Sequence, residues 1–476
     1  MPLIAGVDSS TQSTKVEIRD QETGAVVASA SAPHPPVMAP LSEQDPASWW
    51  TAFEQAWVQA GSPDVAAISV GGQQHGMVAL DAHGLAVHPA KLWNDTESAE
   101  DADRLTGLVS PADWAAAIGS VPVAAFTITK LAWLARTHAD VWSKVRHVML
   151  PHDYITNRLT GRLTTGSTTD RGDASGTGYW SPGNGQYRTD LLDLVDSTRE
   201  WEAMLPRVLG PMDHAGLSTS ASIAMGAVVA PGTGDNMAGA LGVGLRPGDA
   251  VISIGTSGTV YAVSNTPTSD PSGAVAGFAD ATGHFLPLVC TSNAAKVVDA
   301  VARLLGADHA EFDRLALAAL PEGPTLLPYF DGERTPNRPN ARGIIGGLRT
   351  DVTREQFARA AVDGVACGLL DGLDALRALT VLDGRVMLTG GGARSLAMQQ
   401  VVASLVDAPV VLSSADEAVA TGAAVQACAV LEQVDHSVIQ DRWGLGVGAQ
   451  VDPTFAPDMT TRARYAALRD AAPSHG

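Results

Sequence analysis

Two acids stand where apolar, strand-like runs give way to turns of glycine and hydroxyl residues. Asp8 opens DSSTQSTK, residues 8 to 15, and Asp235 sits inside GTGDNMAG, residues 232 to 239. A carboxylate at a strand end can hold a divalent cation, usually through water, while the N–H groups and hydroxyls of such a turn can wrap a phosphate. GTSGT, residues 255 to 259, offers the same donors without the acid. GGGARS, residues 390 to 395, lets a backbone approach a flat or charged ligand closely. Asp235 precedes the small-residue run MAGALGVG, where Asp or Asn is a natural helix N-cap worth typically about 1 kcal/mol. A helix N-terminus also favours the ionised carboxylate, which can accept the proton of an attacking hydroxyl, and the flanking glycines would let a ligand come near. GGQQHGMVALD places Gln73, Gln74 and His75 in a glycine-flanked turn, where they either bind hydroxyls or face water. LWNDTES adds Trp93, Asn94 and Asp95, an aromatic face beside two polar groups suited to a polyol.

Other chemistries find no support in the residue pattern. None of Lys15, Lys91, Lys130, Lys144 and Lys296 completes a Walker A loop, and no G-x-G-x-x-G opens a helix after a strand. HExxH and GxSxG are missing too, which weakens metalloprotease and serine-hydrolase readings. Cys290, Cys367 and Cys428 form no CxxC pair, so neither a disulfide framework nor a zinc site is indicated. A formal net charge of -20 without a Lys/Arg cluster argues against a nucleic-acid or anionic-membrane surface. An anionic ligand stays open, because exposed charges are screened over roughly 8 Å and a site is set by its own dipoles and metal. The start MPLIAGVDSS lacks the flank of a secretory signal and no apolar run is long enough to span a bilayer, which predicts a cytoplasmic protein.

The elements that must carry these turns alternate between strand and helix. LIAGVDSSTQSTKVEI reads as strand, turn and strand, followed after DQETG by AVVASA. In DPASWWTAFEQAWVQAG, Asp45 caps, Pro46 opens a helix, Trp49, Phe53 and Trp57 share one face, and Gly61 stops it. VAAISVGG and MVALD follow as strands, and TKLAWLARTHADVWSKV as one helix. The class is therefore α/β. VISIGTSGTVYAVS, residues 251 to 264, repeats the strand–turn–strand logic of the N-terminus, with Asp8 aligned on Thr256. TREQFARAAVDGVACGLLDGLDAL and VMLTGGGARS supply the second half's own helix, strand and glycine turn. The repeat predicts two similar domains, 1–245 and 246–476, facing each other, with one copy alone keeping an acid at its turn.

Taken together, GVDSSTQSTK, GQQHG, LWND, LPHDYITNRLTG, GTGDNMAGALGVG, ISIGTSGTVYAVS, LPYFDGERTP and GGGARS resemble the motifs of the FGGY carbohydrate kinases, in the same order, from about residue 4 to 428. The set is most similar to the bacterial members that act on D-xylulose. The resemblance implies two actin-like, ribonuclease H-like domains from an internal duplication, with the active site in the interdomain cleft. It implies transfer of phosphate from Mg2+-bound ATP to the 5-hydroxyl of D-xylulose, with Asp235 as base and Asp8 beside the metal, to which both acids would be ligands. Gln74, His75 and Asn236, with Asp235, match sugar-contacting positions. Thr11, Gln12, Ser13 and Lys15 fall on the first phosphate hairpin, Thr256, Gly258 and Thr259 on the second, and Gly391 and Gly392 on the adenosine turn. Ser10 stands where relatives often carry glycine. Sugar and ATP are the expected partners, with no nucleic acid and no membrane, and a homodimer is an expectation from relatives. A kinase of another ketose or polyol, such as ribulose or a tetritol, would differ only around the sugar; a nucleotide sensor of the same fold would need neither acid.

Overall fold

The computed structural model describes residues 2–37, 41–319, 322–454 and 459–473. The chain forms two compact units. The first contains Met1–Leu245, Asn265–Leu286 and Ala415–Gly446; the second contains Arg246–Ser264, Pro287–Ser414 and Val447–Gly476. A single cut between 245 and 246 therefore describes only where the first long segment ends. The segment around Ala418–Glu432 returns to the first unit because its small residues pack on the opening strand. Among the described residues no helix is long and apolar enough to cross a membrane.

In the first unit the sheet runs Gly216–Leu217, Val228–Val229, Ala67–Gly72, Leu3–Ser9, Ser13–Asp20, Val26–Pro33, with Thr233–Gly234 also paired to Ala67–Gly72. Leu3–Ser9 pairs antiparallel with its hairpin partner and parallel with Ala67–Gly72, so Asp8 lies opposite Lys15 on one side and Gly71 on the other. Ile4, Ala5 and Val7 are buried, as an apolar strand in the middle of a sheet requires. The helix Pro46–Gln59 starts as its sequence predicts, Asp45 accepting from the Ala47 N–H, and buries Trp49, Phe53 and Trp57. The Phe53 and Trp57 rings meet edge to face at 6.2 Å. The expected single helix from Thr129 to Val145 is two, Thr127–Thr137 and Ala139–Trp142, because His138 leaves helical geometry at φ -132°, ψ 61°.

The sheet of the second unit runs Phe285–Thr291 (entering the unit at Pro287), Gly258–Ala262, Ala250–Ile254, Val386–Thr389, Val410–Ser413, Gly448–Gln450. Its helix Arg354–Arg377 begins on a capping box of Thr353 and Gln356 and buries Cys367 among alanines and leucines. Each unit thus has an antiparallel three-strand meander whose first strand pairs parallel with a later one. This is the duplicated α/β topology that the repeat predicts and the actin-like one that the resemblance implies. The alignment of the two copies shifts, however. Three residues, 10–12 and 255–257, join the strands of the two hairpins, so Ser253 rather than Thr256 occupies the place of Asp8, one residue before the strand end.

Glycines set the closest approach in the first unit. A Cβ on Gly6 would lie 1.9 Å from the Ala420 carbonyl oxygen. Where the helices Asp235–Gly242 and Ala418–Glu432 cross, a Cβ on Gly242 would meet the Ala418 oxygen at 1.8 Å and one on Gly422 the Ala238 oxygen at 1.8 Å. Backbone on backbone at this distance leaves no flexible side chain to yield. Gly422→Ala is therefore expected to destabilise the protein by about 1–3 kcal/mol and to lower turnover by moving the helix that begins at Asp235. Denaturant unfolding and a rate assay check this; unchanged values of both would contradict it.

Candidate active site

Asp235 is the first residue of its helix, but the cap is Gly234, at φ -64°, ψ 153°, and no side chain caps the end. The expectation of an Asp235 N-cap is thus corrected. Its Oδ1 instead accepts from the Asn236 N–H at 2.8 Å and from Asn236 Nδ2 at 3.0 Å. The same Nδ2 donates to Gln74 Oε1 at 2.8 Å. Base candidate, neighbouring amide and the GGQQHG turn therefore form one hydrogen-bonded chain. Gln74 is buried, and its Nε2 has no hydrogen-bond partner among the described residues. A buried amide donor left open in this way costs free energy unless something fills it.

His75 beside it has a left-handed backbone, φ 64°, which is uncommon outside glycine and strains the turn. Several contacts hold it there. Its ring stacks on Phe126 at 4.9 Å and tilts over Phe278 at 5.5 Å, its Nδ1 lies 2.6 Å from the Gly176 carbonyl, and its own carbonyl accepts from Thr127 Oγ1. Facing a carbonyl oxygen, Nδ1 is the nitrogen that carries a proton.

Asp8 completes the acidic pair. Burial pushes its carboxyl up to about 6, with Lys15 pulling down and Glu417 pushing up. Burial and then the charge of Asp8 push Asp235 up to about 7. Oδ1 of Asp8 is buried without a hydrogen-bond partner. Two buried carboxylates, both with raised proton affinity and one with an oxygen that has no partner among the described residues, are the donor set a divalent cation satisfies.

On the first hairpin, Ser10 tolerates its Cβ because its φ is not positive; its N–H and Oγ both bond to the Ser13 carbonyl. Thr11 Oγ1 donates to Gln73 Oε1 at 3.3 Å and accepts from Trp93 Nε1 at 3.0 Å, joining three motifs. Gln12 is exposed, Ser13 half-buried, and Lys15 is paired with Glu417. Trp93 and Asn94 are exposed, but Asp95 turns inward to the Ser42 N–H and Lys91 and so is no polyol ligand. Glu43, Asp95 and Glu97 have the spacing of a metal cluster, yet Lys91 Nζ takes the cation's place among all three, 3.9 Å over the Trp133 ring.

In the second unit, Thr256 is exposed, Thr259 half-buried and Gly258 buried, where a Cβ would strike Leu369 at 2.4 Å. The glycine turn packs on the same hairpin: a Cβ on Gly390 or Gly392 would strike Ile254, at 2.7 and 2.5 Å. Nothing lies within 4 Å of the Cβ position of Gly391, which is exposed. Thr256 and the Gly391–Gly392 backbone are thus offered to a ligand from neighbouring turns of one unit.

Behind Asp235 lies a group to which motif reading assigned no role. His152, in the helix Pro151–Thr160, is fully buried, Nδ1 2.7 Å from Asp173, Nε2 3.2 Å from Asp153 and 3.7 Å from Asp170. Burial opposes the imidazolium, but the three acids outweigh it and hold the ring's pKa up to about 10. Burial pushes Asp153 and Asp173 up as well, against the pull of His152. The only trace of this group in sequence is PHD and TTDRGD, acids and a histidine in otherwise apolar or small-residue surroundings.

Comparison with known proteins shows the family. Residues 3–242 match the N-terminal domain of the FGGY family of carbohydrate kinases, and residues 250–431 its C-terminal domain. The chain belongs to the FGGY family of carbohydrate kinases. The kinase is 47% identical over 481 residues to a xylulose kinase of Streptomyces coelicolor, covering 99% of this chain and 97% of that protein. It is 46% identical to a xylulose kinase of Streptomyces rubiginosus, at the same coverage. A solved xylulose kinase from Bifidobacterium adolescentis is similar at a TM-score of 0.90 and 41% identity, covering 98% of this chain and 99% of that one. As a member of this family the kinase takes a sugar and ATP as substrates. The unfilled amide of Gln74 gives a first expectation: Gln74→Ala lowers kcat/KM for the sugar by roughly 10- to 100-fold, the cost of a lost buried hydrogen bond, and leaves the KM for ATP within twofold. Steady-state kinetics with each substrate varied checks it; equal loss toward both substrates would contradict it.

Proposed function

We propose that this kinase transfers the γ-phosphoryl group of ATP to the 5-hydroxyl of D-xylulose, with Asp235 as general base. The observation that carries the reading is the chain Asp235–Asn236–Gln74, in which one amide fixes both the base and the turn facing the sugar. Similarity to xylulose kinases over nearly the full length supports the choice of sugar. Gln74, His75 and Asn236 bind the ketose hydroxyls. Thr11, Gln12, Ser13 and Lys15 on one hairpin, and Thr256, Gly258 and Thr259 on the other, meet the phosphates, and Gly391 and Gly392 the adenosine. Asp8 and Asp235 would hold Mg2+, which when bound would offset charge on the transferring phosphate.

In the reaction the O5–Pγ bond forms as the bond from Pγ to the ADP oxygen breaks, and the hydroxyl proton passes to Asp235. A carboxylate suffices as base because the transition state is loose and the proton leaves late. The raised affinity of Asp235 for a proton, which follows from its burial and from Asp8, brings it closer to the strength the step needs. Most of the rate otherwise comes from positioning.

Asp235→Ala is expected to lose about 10²- to 10⁴-fold in kcat while still binding ATP, as read by an ADP-release assay and by nucleotide titration. Near wild-type turnover would remove Asp235 from the role. In the same assay D-xylulose should give the highest kcat/KM of a ketose and polyol panel; a higher value for ribulose or a tetritol would reassign the substrate.

A further inference from the structure

The two turns that frame the candidate site share a neighbour. A Cβ on Gly72, just before Gln73 and Gln74, would lie 2.8 Å from His152 Cβ, and one on Gly232, just before Thr233 and Gly234, would lie 2.5 Å from His152 Cδ2. At Gly72 the space of the missing side chain is filled by the Cβ and backbone of His152, and at Gly232 by its imidazole together with the Val70 carbonyl oxygen. The glycine at 234 is likewise occupied, by Gln74 at 2.7 Å. The flanking glycines thus serve packing within the protein rather than clearance for a ligand.

The ring also acts through charge. Nδ1 is hydrogen-bonded to Asp173, and Nε2, without a hydrogen bond, lies within ion-pair distance of Asp153 and Asp170; a neutral imidazole would put a lone pair close to carboxylate oxygens on one side, and the doubly protonated ring does not. Asp170, one of those acids, accepts from the Gly172 and Asp173 N–H groups and, through Oδ2, from Thr233 Oγ1 at 2.7 Å. Thr233 is two residues from Asp235. On the other side Gln426 Nε2 donates to the Gly232 carbonyl at 3.0 Å and is itself fixed by Ser69. The segment Gly232–Thr233–Gly234 is therefore gripped from both flanks, and His152 with its acids is one of the grips. Removing the positive charge would leave Asp153, Asp170 and Asp173 buried together with hydrogen bonds but no neighbouring positive charge from His152.

We infer that His152, as an imidazolium between Asp153, Asp170 and Asp173, is a positioning residue that sets the Gly232–Asp235 segment against the Gln74 turn for phosphoryl transfer. Fully buried, it acts through Asp170 on Thr233 and through its packing on Gly232. The inference rests on the reading of Asp235 as base.

The test compares His152→Gln, His152→Lys and the double variant His152→Gln/Asp173→Asn with wild type and Asp235→Asn. Each is assayed with whichever sugar wild type turns over fastest, and rates are normalised to the folded fraction from thermal melts. A misplaced base should cost roughly 10- to 100-fold in kcat. The expected result is that loss in His152→Gln with the KM for ATP within twofold. His152→Lys, which keeps the charge, and the double variant, which removes a stranded acid, should each recover at least a few-fold. A purely space-filling role predicts no such recovery. Folded His152→Gln with kcat within twofold of wild type overturns the inference, and so does a folded but inactive His152→Lys should the Gln variant fail to fold. Wild-type turnover in Asp235→Asn would instead overturn the base assignment, and the inference with it; an inactive Asp235→Asn beside a fully active His152→Gln rejects His152 alone.

Discussion

A carboxylate removed from water needs a hydrogen bond, an opposite charge or a proton, and the first unit has gathered several of them in one region. Asp8 and Asp235 stand at the ends of a strand and a loop, with Asp153, Asp170 and Asp173 behind them. Each is compensated differently. Asp170 takes two backbone N–H groups and a threonine hydroxyl, Asp173 takes His152, and Asp153 caps the Leu150 N–H. Among the described residues one oxygen of Asp8 has no hydrogen-bond partner, and Asp235 accepts from the backbone and side chain of Asn236. The front pair is left undersatisfied, the condition in which carboxylates take up a proton or a metal. Chemistry at Asp235 and the rigidity of its surroundings follow from one distribution of charge.

Such a distribution needs close packing, because water at these acids would relax it. The helix that begins at Asp235 lies against Ala418–Glu432 with backbone nearly touching backbone at Gly242 and Gly422, and Gly6 lets the same helix settle on the opening strand. Gln426 from that helix reaches the Gly232 carbonyl. A segment far along the sequence thereby becomes part of the support for the base. Fold and site are linked at the level of single atoms here: small residues bring the elements together, and polar groups at the contact orient the loop.

Much of this was legible in the sequence. The repeated strand–turn–strand pattern gave the duplicated α/β units, and the Trp49, Phe53, Trp57 spacing with Asp45 and Pro46 gave the first helix, because each is a local pattern with a local cause. The candidate turns were legible as a set rather than singly, since glycine and hydroxyl residues are common in any hairpin turn and only their order along the chain set these apart. What was hidden depends on pairing between distant residues. Nothing near Asp95 shows that its partner is Lys91 rather than a sugar, and Gly234 takes the cap from Asp235 only because Asn236 and Gln74 hold the side chain elsewhere. The repeat was found but its register slipped by three residues, since glycine and hydroxyl turns look alike when no strand pairing fixes them. His152 carried no signal that distinguishes a buried ion group from a surface one.

The central claim is that base and sugar-facing turn act as one unit through the Asn236 amide. A double-mutant cycle on kcat/KM for the sugar, with Gln74→Ala and Asn236→Ala singly and together, measures that coupling directly. Shared hydrogen bonding predicts a coupling of at least about 1 kcal/mol, the double variant losing little more than the worse single one. Strictly additive losses would mean that the two residues serve the site independently, and would contradict the account.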